Sequence, residues 1–186
     1  MPTHVALLRG VNLGGHNRVA MADLRSLVAS LGHTDVSTYI QSGNVVFTAA
    51  DPDASPATIA AGLEQAIAAE LDVRPRVVVL SREELAAACA ANPYPDQPNR
   101  KLVHAIFLID EPDADSVAFL ADAQAKAVAK GCRDEATIVG RTLYLHTPDG
   151  FGRSELAKEL SRPRGPAQGT ARNWATVTTL LAMLEE

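Results

Sequence analysis

The chain has only two cysteines in 186 residues, Cys89 and Cys132, and they share no pair spacing. That scarcity argues against a disulfide framework and against a cysteine-rich zinc site. Aromatic residues make up 4% of the chain, too few to suggest a platform for stacking unpaired bases. The net charge of −5 offers no basic excess for non-specific nucleic-acid binding. No apolar run approaches the roughly 18 residues of a membrane span, and no apolar leader with a cleavage site opens the chain. His-x-x-x-His and Cys-x-x-Cys spacings are missing, as is a Gly-x-Ser-x-Gly elbow. The expectation is a soluble, reduced, cytoplasmic protein with no metal, no cofactor and no catalytic residue that its spacing identifies.

Hydrophobic residues make up 47% of the chain, enough to build a sizeable core. Residues 4–10 read as a buried strand. In residues 21–32, Leu24, Leu27, Val28 and Leu31 form one helical face that ends at Gly32. Residues 36–49 are two β-rich runs around Ser42, Gly43 and Asn44, a hairpin pattern. A helix over 55–71 follows, with Ser55 as N-cap and Pro56 at its first position, and then a strand over 74–81. This order, β-α-β-β-α-β, is the split unit of ferredoxin-like folds.

The pattern then repeats. A short helix (82–91) and the turn ANPYPDQPN precede a strand (104–110), a helix (116–131) and a second hairpin (135–148). His4 to Gly32 spans 28 positions and His104 to Gly131 spans 27, and the hairpins turn at Gly43 and Gly140. The fold expected is α+β, built from duplicated βαββα units as two ferredoxin-like halves packed together. The first half covers residues 1–81; the second covers 82–186 and ends in helices over 149–160 and from Thr170 onward. Strands one and three of each half are expected to run parallel. The Arg9–Arg18 and Gly150–Ser154 loops would then both face a cleft between the halves.

Three loops combine arginine with asparagine, serine or threonine. In LLRGVNLGGHNRVAM (7–21), Gly10 and Gly15 have P-loop spacing, but His16 and Asn17 stand where Lys and Ser/Thr are required. A nucleotide-triphosphatase loop is thereby rejected. A weaker anion site remains, because the N–H groups and dipole at a helix start favour negative charge, and Arg9 and Arg18 would add to it. The competing explanation is that Gly14 and Gly15 only make a turn. Asp149 to Ser154 leads into a helix with Ser154 as N-cap and Arg153 beside it. Thr170 or Asn173 can cap the last helix, with Arg172 between them and Trp174, the single tryptophan, as a core anchor.

These motifs in this order, LLRGVNLGG, LRSLVASLG, TYIQSGNVVF, NPYP, LHTPDGFGRSEL and TARNWATV, resemble domain-of-unknown-function family 1697, whose members are bacterial. The resemblance runs from about Met1 to the last helix and implies a duplicated α+β protein with ferredoxin-like halves. It implies no activity. It does place Arg9, Gly10, Asn12, Gly14, Gly15, Asn17, Ser42, Gly43, Asn44, Ser154, Thr170, Arg172, Asn173 and Trp174 on signature positions. Where many members resemble Gly-Gly-Lys-Asn-Lys, this chain has His16 and Arg18, so a catalytic amine is absent there while a positive charge is kept at the second position.

The leading functional expectation is a small anionic ligand, a nucleotide or phosphorylated metabolite. Arg9, Arg18, Arg153 and Arg172 would bring charge. Asn12, Gly14, Gly15, Asn17, Ser42, Asn44, Ser154, Thr170 and Asn173 would bring close approach and orientation. The alternatives are single-stranded nucleic-acid binding through sheet aromatics, and a structural or interaction protein in which these residues are caps and turns.

Overall fold

A computed structural model of the protein describes residues 1–161 and 168–186; the sequence SRPRGPAQGT (161–170) reads as a loop rich in Pro and Gly, and its middle lies outside the described residues. The chain is mixed α+β, with two four-stranded antiparallel sheets, each flanked by helices. It divides into two compact units, Met1–Ala87 with Thr178–Glu186, and Ala88–Val177.

The first sheet has the order β2-β3-β1-β4, from β1 (His4–Leu8), β2 (Thr34–Tyr39), β3 (Asn44–Thr48) and β4 (Val77–Ser81). Helices α1 (Met21–Ser30) and α2 (Pro56–Glu70) connect these strands, and α3 (Arg82–Ala90) follows β4 directly. Alternation along the strands sends Ala6, Leu8, Val45, Phe47, Val77 and Val79 into a core with Leu24, Leu27 and Val28 of α1 and Ile59, Leu63 and Ile67 of α2. Ser55 caps α2 by accepting from the Thr58 N–H, with Pro56 at the first helical position as its sequence implies. Ser81 and Glu84 cap α3 reciprocally, each side chain accepting from the other's backbone N–H.

The second sheet has the order β6-β7-β5-β8, from β5 (Val103–Leu108), β6 (Glu135–Val139), β7 (Thr142–His146) and β8 (Gly169–Asn173). Helix α4 (Ala114–Ala129) joins β5 to β6, and a 3₁₀ turn (Phe151–Arg153) leads into α5 (Glu155–Leu160). Leu143, Leu145, Leu120, Ala123, Ala127 and Leu156 form its core. Helix α6 (Trp174–Glu185) closes the chain. The duplication is visible in the register: His4 pairs with Phe47 and His104 with Leu145, while Val5 pairs with Leu80 and Ala105 with Arg172.

Two expectations are corrected. Strands β1 and β3 run antiparallel, and so do β5 and β7. A helical crossover sets the second strand of each unit parallel to the first, and the hairpin then reverses the third. The loop after strand one and the loop after strand three therefore leave opposite ends of a sheet. The second correction concerns residues 169–173, read as the approach to the last helix. They form β8, which covers the open edge of β5 and gives the second half its fourth strand. Thr170 lies inside that strand, and the cap of α6 is Asn173, whose Oδ1 accepts from the Thr176 N–H. The backbones pass so close that a Cβ on Gly169 would sit 2.5 Å from the Phe107 carbonyl oxygen.

Candidate functional site

The loop between β1 and α1 is a miniature hairpin. The His16 N–H donates to the Leu13 carbonyl, and the Asn12 N–H donates to the Asn17 carbonyl. Gly14 and Gly15 have φ of +56° and +84°, the pair of positive values that a tight I′-type turn needs and that glycine supplies at no steric cost. Asn12 then ties this hairpin to the rest of the unit. Its Nδ2 donates to the carbonyls of Val19 (2.9 Å) and Gln41 (2.7 Å), and its Oδ1 accepts from the Val19 N–H (2.9 Å). The Asn17 amide donates to the Gly10 carbonyl. Both asparagines adopt positive φ, which Asn tolerates better than other side chains.

This arrangement brings the first group of sequence-selected residues together. Asn44 is fully buried and closes the β2–β3 turn by donating to the Tyr39 carbonyl and to Ser42 Oγ. Gly43 fits against Leu8 and Val11, where a Cβ would come within 2.8 and 2.7 Å of side-chain carbons. Arg9 is half-buried at the end of β1, its N–H donating to the Arg76 carbonyl. Between the hairpin and the β2–β3 turn lies an open pocket of about 410 Å³, lined by Asn12, Gly15, Arg18, Val19, Ala20 and Gln41. Arg18 is exposed and makes no hydrogen bond or ion pair among the described residues. A Cβ added to Gly15 would lie 3.9 Å from Arg18 Nη2, so the missing side chain at Gly15 leaves the guanidinium approachable from that side. Ala20, on the pocket wall, is also the N-cap of α1 and supplies no capping side chain. Among the described residues the other five α-helices each have one, from Ser55, Ser81, Asp113, Ser154 and Asn173.

The duplicated unit shows which of this the fold requires. The connection from β1 to α1 is 12 residues (9–20), whereas the equivalent one from β5 to α4 is 5 (109–113). The β2–β3 turn has four residues (40–43) against two (140–141) in the β6–β7 turn. The two connections that meet at the pocket are the two that exceed their counterparts.

The second group lies in the other unit and is mostly committed internally. Ser154 is buried, accepts from the Ala157 N–H as the cap of α5 and donates to the buried Asp134 carboxylate, which also accepts from the Cys132 thiol. Arg153 is exposed at the end of the 3₁₀ turn. Arg172 is only 8% exposed and donates from Nη1 to Thr170 Oγ1 and to the Ala171 carbonyl. Burial lowers its pKa to about 10. The 3₁₀ turn and β8 converge on His104. Its ring lies 4.2 Å from Phe151, it pairs with Asn173 across the strands, and its Nδ1 is buried without a hydrogen-bond partner. With nothing to hold a proton there, desolvation lowers its pKa to about 4.

Sequence reasoning missed several of these features. Asp134 carries no motif, and its role depends on tertiary contacts; Val19 falls within the opening motif, but the part its backbone plays in holding Asn12 is set by the fold. Ile40, in the β2–β3 turn, adopts a φ of +49° and does carry a signal, an apolar β-branched residue in a turn where Asn, Asp or Gly is expected. Among the described residues no group of three or more His, Cys, Asp or Glu could hold a metal ion, and no helix is long and apolar enough to cross a membrane.

Residues 1–144 match the model of the family described as "Protein of unknown function (DUF1697)". The chain belongs to the DUF1697 family. It is also similar to the solved structure of a conserved bacterial protein, SP0830 from Streptococcus pneumoniae, with 25% identity and a TM-score of 0.72 over 98% of each chain. A comparison with curated proteins gives no match. The DUF1697 match spans the whole pocket of the first unit, from Asn12 to Gln41, whereas Arg153, Ser154, Thr170, Arg172 and Asn173 lie beyond it.

Proposed function

We propose that this DUF1697 protein binds a small anionic ligand, a nucleotide or phosphorylated metabolite, in the pocket of the first unit. The observation that carries the reading is Arg18, a guanidinium without a partner among the described residues on the wall of a pocket built by two enlarged connections. The uncapped start of α1 adds N–H groups and a favourable dipole at the same wall. Asn12, Asn17 and Asn44 act in this reading as the frame, since their amides hold the loops, and Arg9 contributes charge at the end of β1. Two charge-assisted hydrogen bonds contribute about 3–6 kcal/mol gross. Association costs offset several of these, which leaves roughly micromolar to millimolar affinity.

Of the aromatics that the nucleic-acid alternative would use, Phe47, Phe107 and Tyr144 are buried and offer no face to a base, which leaves the half-buried Tyr39 without a stacking partner from this set. The test is a thermal-shift screen against millimolar phosphate, nucleotides and phosphorylated metabolites. A ligand that stabilises wild type and Arg153→Ala, but not Arg18→Ala, supports the site in the first unit. Equal stabilisation of Arg18→Ala refutes it.

A further inference from the structure

The pocket carries one more polar group than anion binding uses. In the enlarged β2–β3 turn, Ser42 accepts from the Asn44 amide and Gly43 fits against Leu8 and Val11. What Gln41 gives the fold is its backbone carbonyl, which accepts from Asn12 Nδ2 at 2.7 Å. Its side-chain amide makes no hydrogen bond among the described residues, although Gln41 lines the pocket. The second unit reverses the equivalent hairpin with Gly140 and Arg141 alone, so the topology does not call for this residue.

The polar side chains of the lining therefore fall into two kinds. Asn12 is committed to the loops, with Nδ2 donating to the Val19 and Gln41 carbonyls and Oδ1 accepting from the Val19 N–H. Arg18 and Gln41 keep their side-chain groups free among the described residues. A guanidinium offers positive charge and donors only, whereas a carboxamide offers two N–H donors and a carbonyl acceptor without charge. The group that satisfies such an amide presents a donor and an acceptor side by side, as the edge of a nucleobase does. Among the described residues that line the pocket Arg18 alone is charged, which suits a ligand with a single anionic group.

We infer that the ligand is a nucleoside monophosphate, its phosphate meeting Arg18 and its base edge read by the Gln41 amide. The inference rests on the anion reading above and narrows it. Val19 and Ala20 give the lining an apolar part that suits the face of a base. A bare oxyanion would fill only a small part of the roughly 410 Å³ available.

Calorimetric titration of the full chain with the monophosphates of adenosine, guanosine, cytidine and uridine, and with ribose 5-phosphate, tests this. At least one nucleotide is expected to bind about tenfold more tightly than ribose 5-phosphate, the size of a good two-bond amide–base contact. Gln41→Leu should bring that nucleotide down to the level of ribose 5-phosphate and leave ribose 5-phosphate itself unchanged. The variant should also melt at the wild-type temperature, because the carbonyl that Asn12 holds is kept. A nucleotide preference that survives in Gln41→Leu overturns the inference. So does a loss that falls equally on ribose 5-phosphate, or a clear drop in melting temperature, since either assigns Gln41 to the fold. Equal affinity for all five ligands, lost in Arg18→Ala, overturns the base contact and leaves the anion site standing. Failure of all five to bind a folded protein overturns both.

Discussion

His104 should make the second unit sensitive to mild acid. Its pKa falls from 6.5 to about 4 on folding, and the cause is desolvation of a ring that packs tilted against Phe151 and has a buried, unpartnered Nδ1. A base whose pKa is lowered by folding binds more protons in the unfolded chain. Stability is therefore complete above about pH 6.5 and is lost as the pH falls toward 4, with no further loss from this group below that. At roughly 1.4 kcal/mol per pH unit, the full effect is about 3 kcal/mol, most of it already expressed by pH 4.5. His104→Leu removes the titration and sacrifices no Nδ1 hydrogen bond. Urea unfolding, followed through the fluorescence of Trp174 in the same unit, would be measured on both proteins at pH 7.5 and pH 4.5. The comparison cancels the other groups that titrate in this range, including His4 and His33, whose pKa values burial also lowers. The wild type should lose about 2–3 kcal/mol more than the variant. Parallel losses in the two proteins would refute the claim that this ring is held neutral by its surroundings.

Three further substitutions probe the frame. Gly43→Ala puts a Cβ within 2.7 Å of Val11 at a φ of +73°, and should cost about 2 kcal/mol or more in chemical denaturation. Ser154→Ala removes the cap of α5 and a buried donor to Asp134, and should lower stability by about 1–3 kcal/mol, read as a fall in the urea midpoint. Arg172→Leu installs the residue type that the first half carries in the matching register, Leu80, and should leave the melting temperature unchanged or raised. A marked fall would mean that the buried guanidinium is needed for stability rather than for a ligand.

Most of the architecture was legible because periodicity and capping are local. Leu24, Leu27 and Val28 of the expected stripe, the Ser55–Pro56 start and the Gly43 and Gly140 turns fell where the sequence implies, whereas Leu31, the fourth residue of that stripe, sits exposed at the C-cap of α1. Strand β8 escaped because nothing local marks it. Gly169–Asn173 has no alternation of apolar and polar residues, and it is a strand because the edge of β5 supplies its hydrogen bonds. The direction of β3 relative to β1 was misread for a similar reason, since it follows from the connections and not from either strand's own residues. At the site, the arginines and asparagines were visible but their division of labour was not. The sequence marks Asn12 as polar and loop-bound, and only the fold shows its amide engaged with Val19 and Gln41.

The duplication separates what the fold needs from what it merely carries. Both units close the same sheet order, so the shorter connection in each pair is sufficient for the topology. The second unit joins strand one to its helix in five residues and turns its hairpin in two, whereas the first uses twelve and four. Ordering each additional backbone residue costs about 1–2 kcal/mol of conformational entropy, and the nine surplus residues include Leu13 and Ile40, which bury little in return. The first unit offsets part of this through the Asn12 hydrogen bonds and the buried side chains of Val11 and Val19. What those contacts stabilise is a pocket, an arginine without a partner among the described residues and an isoleucine at positive φ, none of which the second unit requires to fold.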